Sequence, residues 1–245
     1  MPAKPQVRPL YREYFTAPDQ GVAYLEIPKC ACTSIKGAIA RATVDDPPQG
    51  WRIHQDFPTE FVVAEHRLDR SRFFAFTFVR HPIDRFVSFY RDKVLGWDPA
   101  IKPELEAIGV HHRMPIGELI ATLARHPPEA YEKHVRPQHV FLLSARGALT
   151  VDFLGRLERT EADWSRVTRL AGLELDLGHE HRQAKEGRLP ISPADYERLL
   201  GLYAKDFELL GYERVGLAEA AERHGLVVAD AAKGGPKGRG RPPST

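Results

Sequence analysis

Two cysteines in 245 residues, Cys30 and Cys32, leave no framework for disulfide crosslinking. A single residue separates them, a spacing poorly suited to a bridge, and no second pair exists to complete a zinc site. They read as two small side chains in a tight loop, with no metal expected. Long apolar runs are also missing. Nothing approaches 18 consecutive apolar residues, so no transmembrane helix is expected. The opening segment MPAKPQVRPLYREYF lacks the apolar stretch of a secretory signal, and a cytoplasmic protein is the expectation. Net charge is nearly absent. The whole chain carries a formal +2, of which residues 231–245 supply +4 through Lys233, Lys237, Arg239 and Arg241, so the remainder stands at −2. No nucleic-acid partner follows from such a balance.

What is present is globular. A chain with 42% hydrophobic and 28% charged residues excludes collagen-like, disordered and membrane classes, and its length buries a core without staples. Three segments follow: an irregular lead-in with four prolines over 1–20, one domain over 21–229, and a basic Gly/Pro tail over 230–245, too poor in apolar groups to fold. The tail is expected to solubilise rather than to bind.

Val22–Ile27 is a short apolar run that reads as a buried strand, stopped by Pro28. From Ser34, the residues Ile35, Ala38, Ile39 and Ala42 recur at helical spacing. The same grammar returns downstream. Phe73–Val79 is nearly continuous apolar, the mark of a strand covered on both faces, and Pro82 suits the first position of a helix. Between them, Trp51–His54 predicts a short strand, and Thr59–Ser71 a helix, with a strand over Phe61–Ala64 as the alternative. Further on, Ile116–Arg125 predicts a helix, His139–Ser144 is helical or extended, and Val151–Glu158 predicts a strand. Helices are expected from a capping box at Thr160–Asp163, and from Ser192 to Leu210 with Gly211 beyond the end. Strands alternating with helices predict an α/β domain with a central parallel sheet flanked by helices.

Two strand–loop–helix junctions carry the chemistry. In PKCACTS, a loop feeding a helix N-terminus offers unsatisfied N–H groups and the positive end of the helix dipole to an anion. Lys29 adds a full charge there, and Thr33 and Ser34 add hydroxyls. The glycine-rich nucleotide loop G-x-x-x-x-G-K-[ST] is absent. At the second junction Arg80 ends a strand and Ser88 lies about two helical turns on. The planar fork of Arg80 suits a phosphate, although it could instead pair with Asp84. Two such junctions in one sheet imply an elongated ligand with two anionic groups.

IPKCACTSIK (27–36) resembles the 5′-phosphosulfate loop of sulfotransferases, and FAFTFVRHPIDRFVSFYRDK (74–93) resembles their 3′-phosphate-binding strand and helix. The variant is similar to that of the membrane-type carbohydrate sulfotransferases and their bacterial relatives, sulfotransferase family 2. HVRPQHVFL (134–142), VDFLGRLE (151–158) and YAKDFELLGY (203–212) agree with it, so the resemblance covers roughly residues 21–213. The membrane anchor of the animal enzymes is missing, which fits a bacterial cytosolic form.

The resemblance implies a P-loop-kinase-like fold and 3′-phosphoadenosine 5′-phosphosulfate (PAPS) as donor, without a metal. It implies transfer to an acceptor hydroxyl, expected on a carbohydrate or glycoconjugate. On the matching positions Lys29 would stabilise the leaving phosphate. Cys30, Ala31, Cys32, Thr33 and Ser34 would hold the phosphosulfate, chiefly through the amides of residues 31–34 and the two hydroxyls. Arg80 and Ser88 would bind the 3′-phosphate. The acceptor hydroxyl needs a base, and histidine is the natural candidate. His54 comes first because it ends the expected strand between the junctions, where these enzymes commonly place their base. His66 comes second, on the alternative strand. His134 and Gln138 read as acceptor-side or structural contacts. Lys185, Glu186, Gly187 and Arg188 could form a flap with Arg188 near the 3′-phosphate, or a solvated loop. The rival readings are a nucleotide-dependent phosphotransferase of the same fold and an inactive nucleotide-binding protein.

Overall fold

The apolar run Phe73–Val79 becomes an interior strand whose last five residues are buried. The computed structural model describes residues 12–172, 177 and 187–229. Its strands are β1 (Glu13–Ala17), β2 (Val22–Leu25), β3 (Val62–Ala64), β4 (Phe74–Val79), β5 (Phe153–Arg156), β6 (Leu189–Ile191) and β7 (Leu226–Val228). The helices of the first half are α1 (Cys32–Arg41), α2 (Pro82–Phe89), α3 (Lys102–Ala107) and α4 (Ile116–Leu123). Those of the second are α5 (Gln138–Leu142), α6 (Thr160–Ala171), α7 (Pro193–Leu202), α8 (Ala204–Leu210) and α9 (Leu217–Arg223).

Five strands form one sheet in the order β3-β1-β2-β4-β5, flanked by helices in an α/β architecture. β2, β4 and β5 are parallel, as expected. β1 is antiparallel to both β2 and β3, so the sheet is mixed. The cause is local. β1 and β2 are joined by the short turn Pro18–Gln20, closed at Gly21 in the left-handed region (φ 65°), and a tight hairpin pairs its strands antiparallel. The lead-in expected to be irregular therefore contributes a strand: Tyr14, Phe15 and Ala17 are buried within a run that its prolines disguised.

Three other expectations change. Trp51–His54 is not a strand but part of a 3-10 turn, Gly50–His54, which buries only Ile53 after Gly50 turns left-handed. Thr59–Ser71 is not a helix. The β-branched pair Val62-Val63 takes the strand alternative as β3 against β1, with 3-10 turns on either side. At α6 no capping box forms. The Thr160 hydroxyl donates to the carbonyl of Leu157, and Asp163 accepts the N–H of Arg156 at 2.8 Å. Ser192 does cap its helix, accepting the N–H of Asp195 at 3.1 Å, but the helix breaks at Tyr203 before Gly211 ends it. The tail from 230 on lies outside the described residues.

Two apolar clusters result. One packs α1 and α6 on the sheet around Ile27, Ile39, Phe76, Phe78 and Trp164. The other joins α2, α4, α7 and α8 through Phe86, Leu119, Leu123, Tyr196 and Phe207. Phe78 lies opposite Gly155 in the β4–β5 ladder, where an added Cβ would sit 2.6 Å from the ring. Residues just beyond β2, β4 and β5 line a groove of about 2450 Å³ at the carboxyl ends of these strands.

Candidate active site

The first junction is strained on purpose. Lys29 (φ 71°) and Ala31 (φ 61°) are both non-glycine residues in the left-handed region, and α1 begins directly after, at Cys32. Such residues cost about 1–3 kcal/mol each and persist where surrounding contacts over-determine them. The contacts are present. Cys30 is fully buried with its Sγ 3.5 Å from Gln138 Oε1, and the guanidinium of Arg85 donates to the carbonyl of Pro28 at 2.9 Å. The first-turn amides of α1 lack intrahelical partners, so the loop presents donors at the groove. Burial raises both thiols, Cys30 to about 12 and Cys32 to about 11, so neither is a thiolate near neutral pH.

Lys29, Ala31, Cys32, Thr33 and Ser34 all line the groove; Cys30 stands behind them in the core. Lys29 Nζ is 2.8 Å from Asp92 Oδ2, and Lys93 lies 3.3 Å from the same oxygen. Burial pushes the Asp92 carboxyl upward, but these two ammonium groups outweigh it and hold its pKa below the usual range. Asp92 and Lys93 come from Tyr90–Leu95, where the helix of α2 widens into a π-helical turn, a distortion frequent at functional sites.

His54 is brought to this junction. Its Nε2 is 2.8 Å from Thr33 Oγ1, and its Nδ1 lies 3.5 Å from Glu26 Oε1 and 3.3 Å from Lys36 Nζ. Lys36, almost fully buried, binds Glu26 at 2.8 Å. Burial raises the Glu26 carboxyl, but the His54 hydrogen bond and the Lys36 charge reverse this and hold it far below the usual range. Nδ1 thus faces an ionised carboxylate, which favours a proton there, and a nearer ammonium, which can only donate to it, so the two neighbours pull the tautomer in opposite directions.

The second junction opens on the same groove. Arg80, Ser88 and the intervening Asp84 line it. Gln138 grips the Arg80 peptide from both sides, accepting its N–H at 2.9 Å and donating to its carbonyl at 2.8 Å. The Arg80 guanidinium makes no hydrogen bond or ion pair with any described residue, so the expected alternative of pairing with Asp84 is not realised. Asp84 lies instead 3.2 Å from His224 Nδ1.

Two residues expected at the site are elsewhere. His66 is exposed in the turn after β3 and does not line the groove, because β1 inserts between β3 and β2 and sets that turn at the far edge of the sheet. Arg188 is exposed and also outside the groove. Lys185 and Glu186 lie outside the described residues. Gly187, the described end of that segment, accepts a hydrogen bond from Arg91 at 2.6 Å. His134 lines the groove with its Nδ1 2.7 Å from the buried Glu132. Gln138 is structural.

Sequence reasoning missed Glu26, Lys36, Asp92, Lys93 and His224. A buried lysine three residues after Thr33 and the Asp92-Lys93 pair ending the second motif were the only local signals. Among the described residues, two groups could geometrically hold a cation, Glu26–Cys32–His54 and His81–Asp84–His224. In the first, Lys36 already binds Glu26 and Thr33 already binds His54 Nε2.

Loop–helix junctions gathered at one end of an α/β sheet, with a charged, histidine-bearing groove between them, form an arrangement suited to anionic ligands. The match to known families makes this specific: the chain belongs to the sulfotransferase family, sulfotransferase family 2, whose model matches residues 12–213. Carbohydrate sulfotransferase 14 of Danio rerio is 26% identical over an alignment covering 77% of this chain and 59% of that protein. The chain thus spans less than two thirds of the length of that relative. No solved structure matches it. Among the described residues, no helix is long and apolar enough to cross a membrane.

Proposed function

We propose that the chain transfers the sulfuryl group of PAPS to a hydroxyl of a carbohydrate or glycoconjugate. The acceptor oxygen attacks sulfur in line, and the bond from sulfur to the 5′-phosphate oxygen breaks. The acceptor proton passes to His54 Nε2, and adenosine 3′,5′-bisphosphate leaves. Lys29 stabilises charge growing on the departing phosphate, and the amides and hydroxyls of residues 31–34 hold the phosphosulfate. Arg80 and Ser88 take the 3′-phosphate. Glu26, ionised and 3.5 Å from Nδ1, balances the charge of the neighbouring Lys36 ammonium and stabilises the imidazolium as it forms.

The observation that carries this reading is the convergence on one groove of Lys29, His54 and Arg80, whose guanidinium has no partner among the described residues. Family membership and the likeness to a protein called carbohydrate sulfotransferase 14 support both the transferred group and the acceptor class. A phosphotransferase reading lacks the Gly-Lys-Ser/Thr loop. The test is calorimetric titration with adenosine 3′,5′-bisphosphate, against ATP with magnesium and adenosine 5′-phosphosulfate. The bisphosphate binds best, and Arg80→Ala weakens it about 10–100-fold, the equivalent of a charged hydrogen-bonding partner, while leaving the weak ATP binding unchanged. Preference for ATP would overturn the assignment.

A further inference from the structure

Trp51 is a large apolar side chain left 52% exposed, and it lines the groove rather than the outer surface. Its placement follows from the 3-10 turn Gly50–His54. Side chains three apart on such a turn eclipse one another, so Trp51 and His54 share a face. Their ring centroids are 4.9 Å apart at 44°. The indole is also fixed by the buried Lys93, whose Nζ lies 5.0 Å from its centroid. The ring is thus held at the base, with more than half its surface open.

The charges around it cancel. Lys29 and Lys93 are neutralised by Asp92 and Asp98, the latter bonded to Lys93 at 2.5 Å. Over the whole groove nine Asp and Glu side chains stand against seven Lys and Arg, among them the exposed Glu104, Glu129 and Lys133, and Glu132 is held by His134. A polyanion gains nothing from this wall, whereas an uncharged ring with a C–H face gains apolar contact with indole.

We propose that Trp51 is the stacking platform of the acceptor, and that the acceptor docks there as an uncharged pyranose with one hydroxyl directed at His54. This rests on the sulfuryl-transfer reading above. An adenine ring could also stack on an indole, but the donor spans Lys29 to Arg80, and Trp51 lies on the side of the base.

The experiment compares wild type, Trp51→Ala and Trp51→Phe, with chitotetraose and cellotetraose as neutral probes and a uronic-acid-containing heparosan tetrasaccharide as the acidic one. Binding to the bisphosphate-loaded protein and release of bisphosphate from PAPS are both measured. The expected result is neutral-probe binding that changes less than twofold between 50 and 300 mM salt. It weakens at least tenfold in Trp51→Ala, largely recovers in Trp51→Phe, and leaves bisphosphate affinity within twofold. Failure of both neutral probes to bind, or salt-sensitive preference for heparosan, overturns the proposal. So does a Trp51→Ala variant that loses the bisphosphate instead, which would make the indole an adenine platform. A wild type that does not bind the bisphosphate at all would refute the sulfuryl-transfer reading itself.

Discussion

Replacing Gln138 by methionine isolates the hydrogen bonds that join the two donor junctions. Gln138 is fully buried. Its Oε1 accepts from the Arg80 N–H and the Cys30 thiol, its Nε2 donates to the Arg80 carbonyl, and its own N–H is bonded to Asp206 at 2.7 Å. Methionine keeps most of the volume and the backbone bond, yet leaves both polar groups of the Arg80 peptide without the amide that satisfied them. Each orphaned group costs about 1–3 kcal/mol, so losing both is expected to cost about 2–6 kcal/mol of stability. Alanine adds a cavity and should cost more. For a chain of this length each kcal/mol lowers the melting temperature by roughly 2–4 °C, giving a drop of about 4–24 °C for Gln138→Met. Urea unfolding at pH 7 measures the loss, and calorimetry with adenosine 3′,5′-bisphosphate measures its effect on the site, expected to be about a tenfold weakening as Arg80 loses its fixed origin. A methionine variant with stability within about 0.5 kcal/mol of wild type and unchanged bisphosphate affinity would refute the clamp.

Removing the base, His54→Ala, should lower turnover about 10²–10⁴-fold with bisphosphate affinity within threefold of wild type; a variant that keeps most of its turnover relieves His54 of that role. Stability should fall as pH drops from about 6.5 towards 4. Burial and the adjacent His224 depress His81 to about 4, so between these values the unfolded chain binds the extra proton. Urea midpoints at pH 7.5 and 5 check this, and the slope should shrink in His81→Asn; equal slopes dismiss the argument. Below about pH 4 the depressed carboxylates Glu26, Asp84, Asp92 and Glu132 add to the loss. Gly155→Ala sets a Cβ 2.6 Å from the Phe78 ring and should cost about 1–3 kcal/mol, partly recovered by adding Phe78→Leu. Purely additive effects would place the strain elsewhere.

The junctions were legible because their signals are local. The strand run Phe74–Val79, Pro82 at the helix start, and the Lys29–Ser34 loop each carry their meaning within ten residues. What the sequence hid is pairing at long range. Whether Thr59–Ser71 holds a strand depends on β1, which lay among prolines, and that same strand decides that His66 sits at the sheet edge. His54 was chosen for ending a strand. It reaches Thr33 from a 3-10 turn instead, so the reason for singling it out did not hold even though the structure sets it beside the first junction.

The buried charged and polar residues that periodicity treated as anomalies have a common cause. A groove built from left-handed loops and turns carries backbone groups that no helix or strand satisfies, and these must find side-chain partners. Arg85, 1% exposed, gives its guanidinium to the carbonyls of Pro28, Lys133 and Arg136, joining the first junction to the segment before α5. Asp206, fully buried, accepts the N–H groups of Gln138 and His139 and the ring Nδ1 of His139, which fixes the clamp on Arg80. Each nitrogen of the Arg85 guanidinium and each carboxylate oxygen of Asp206 has a partner, the condition under which burying a charge is tolerable. Polar side chains with no helical or strand rationale therefore mark the irregular backbone they support, and here that backbone is the rim of the groove.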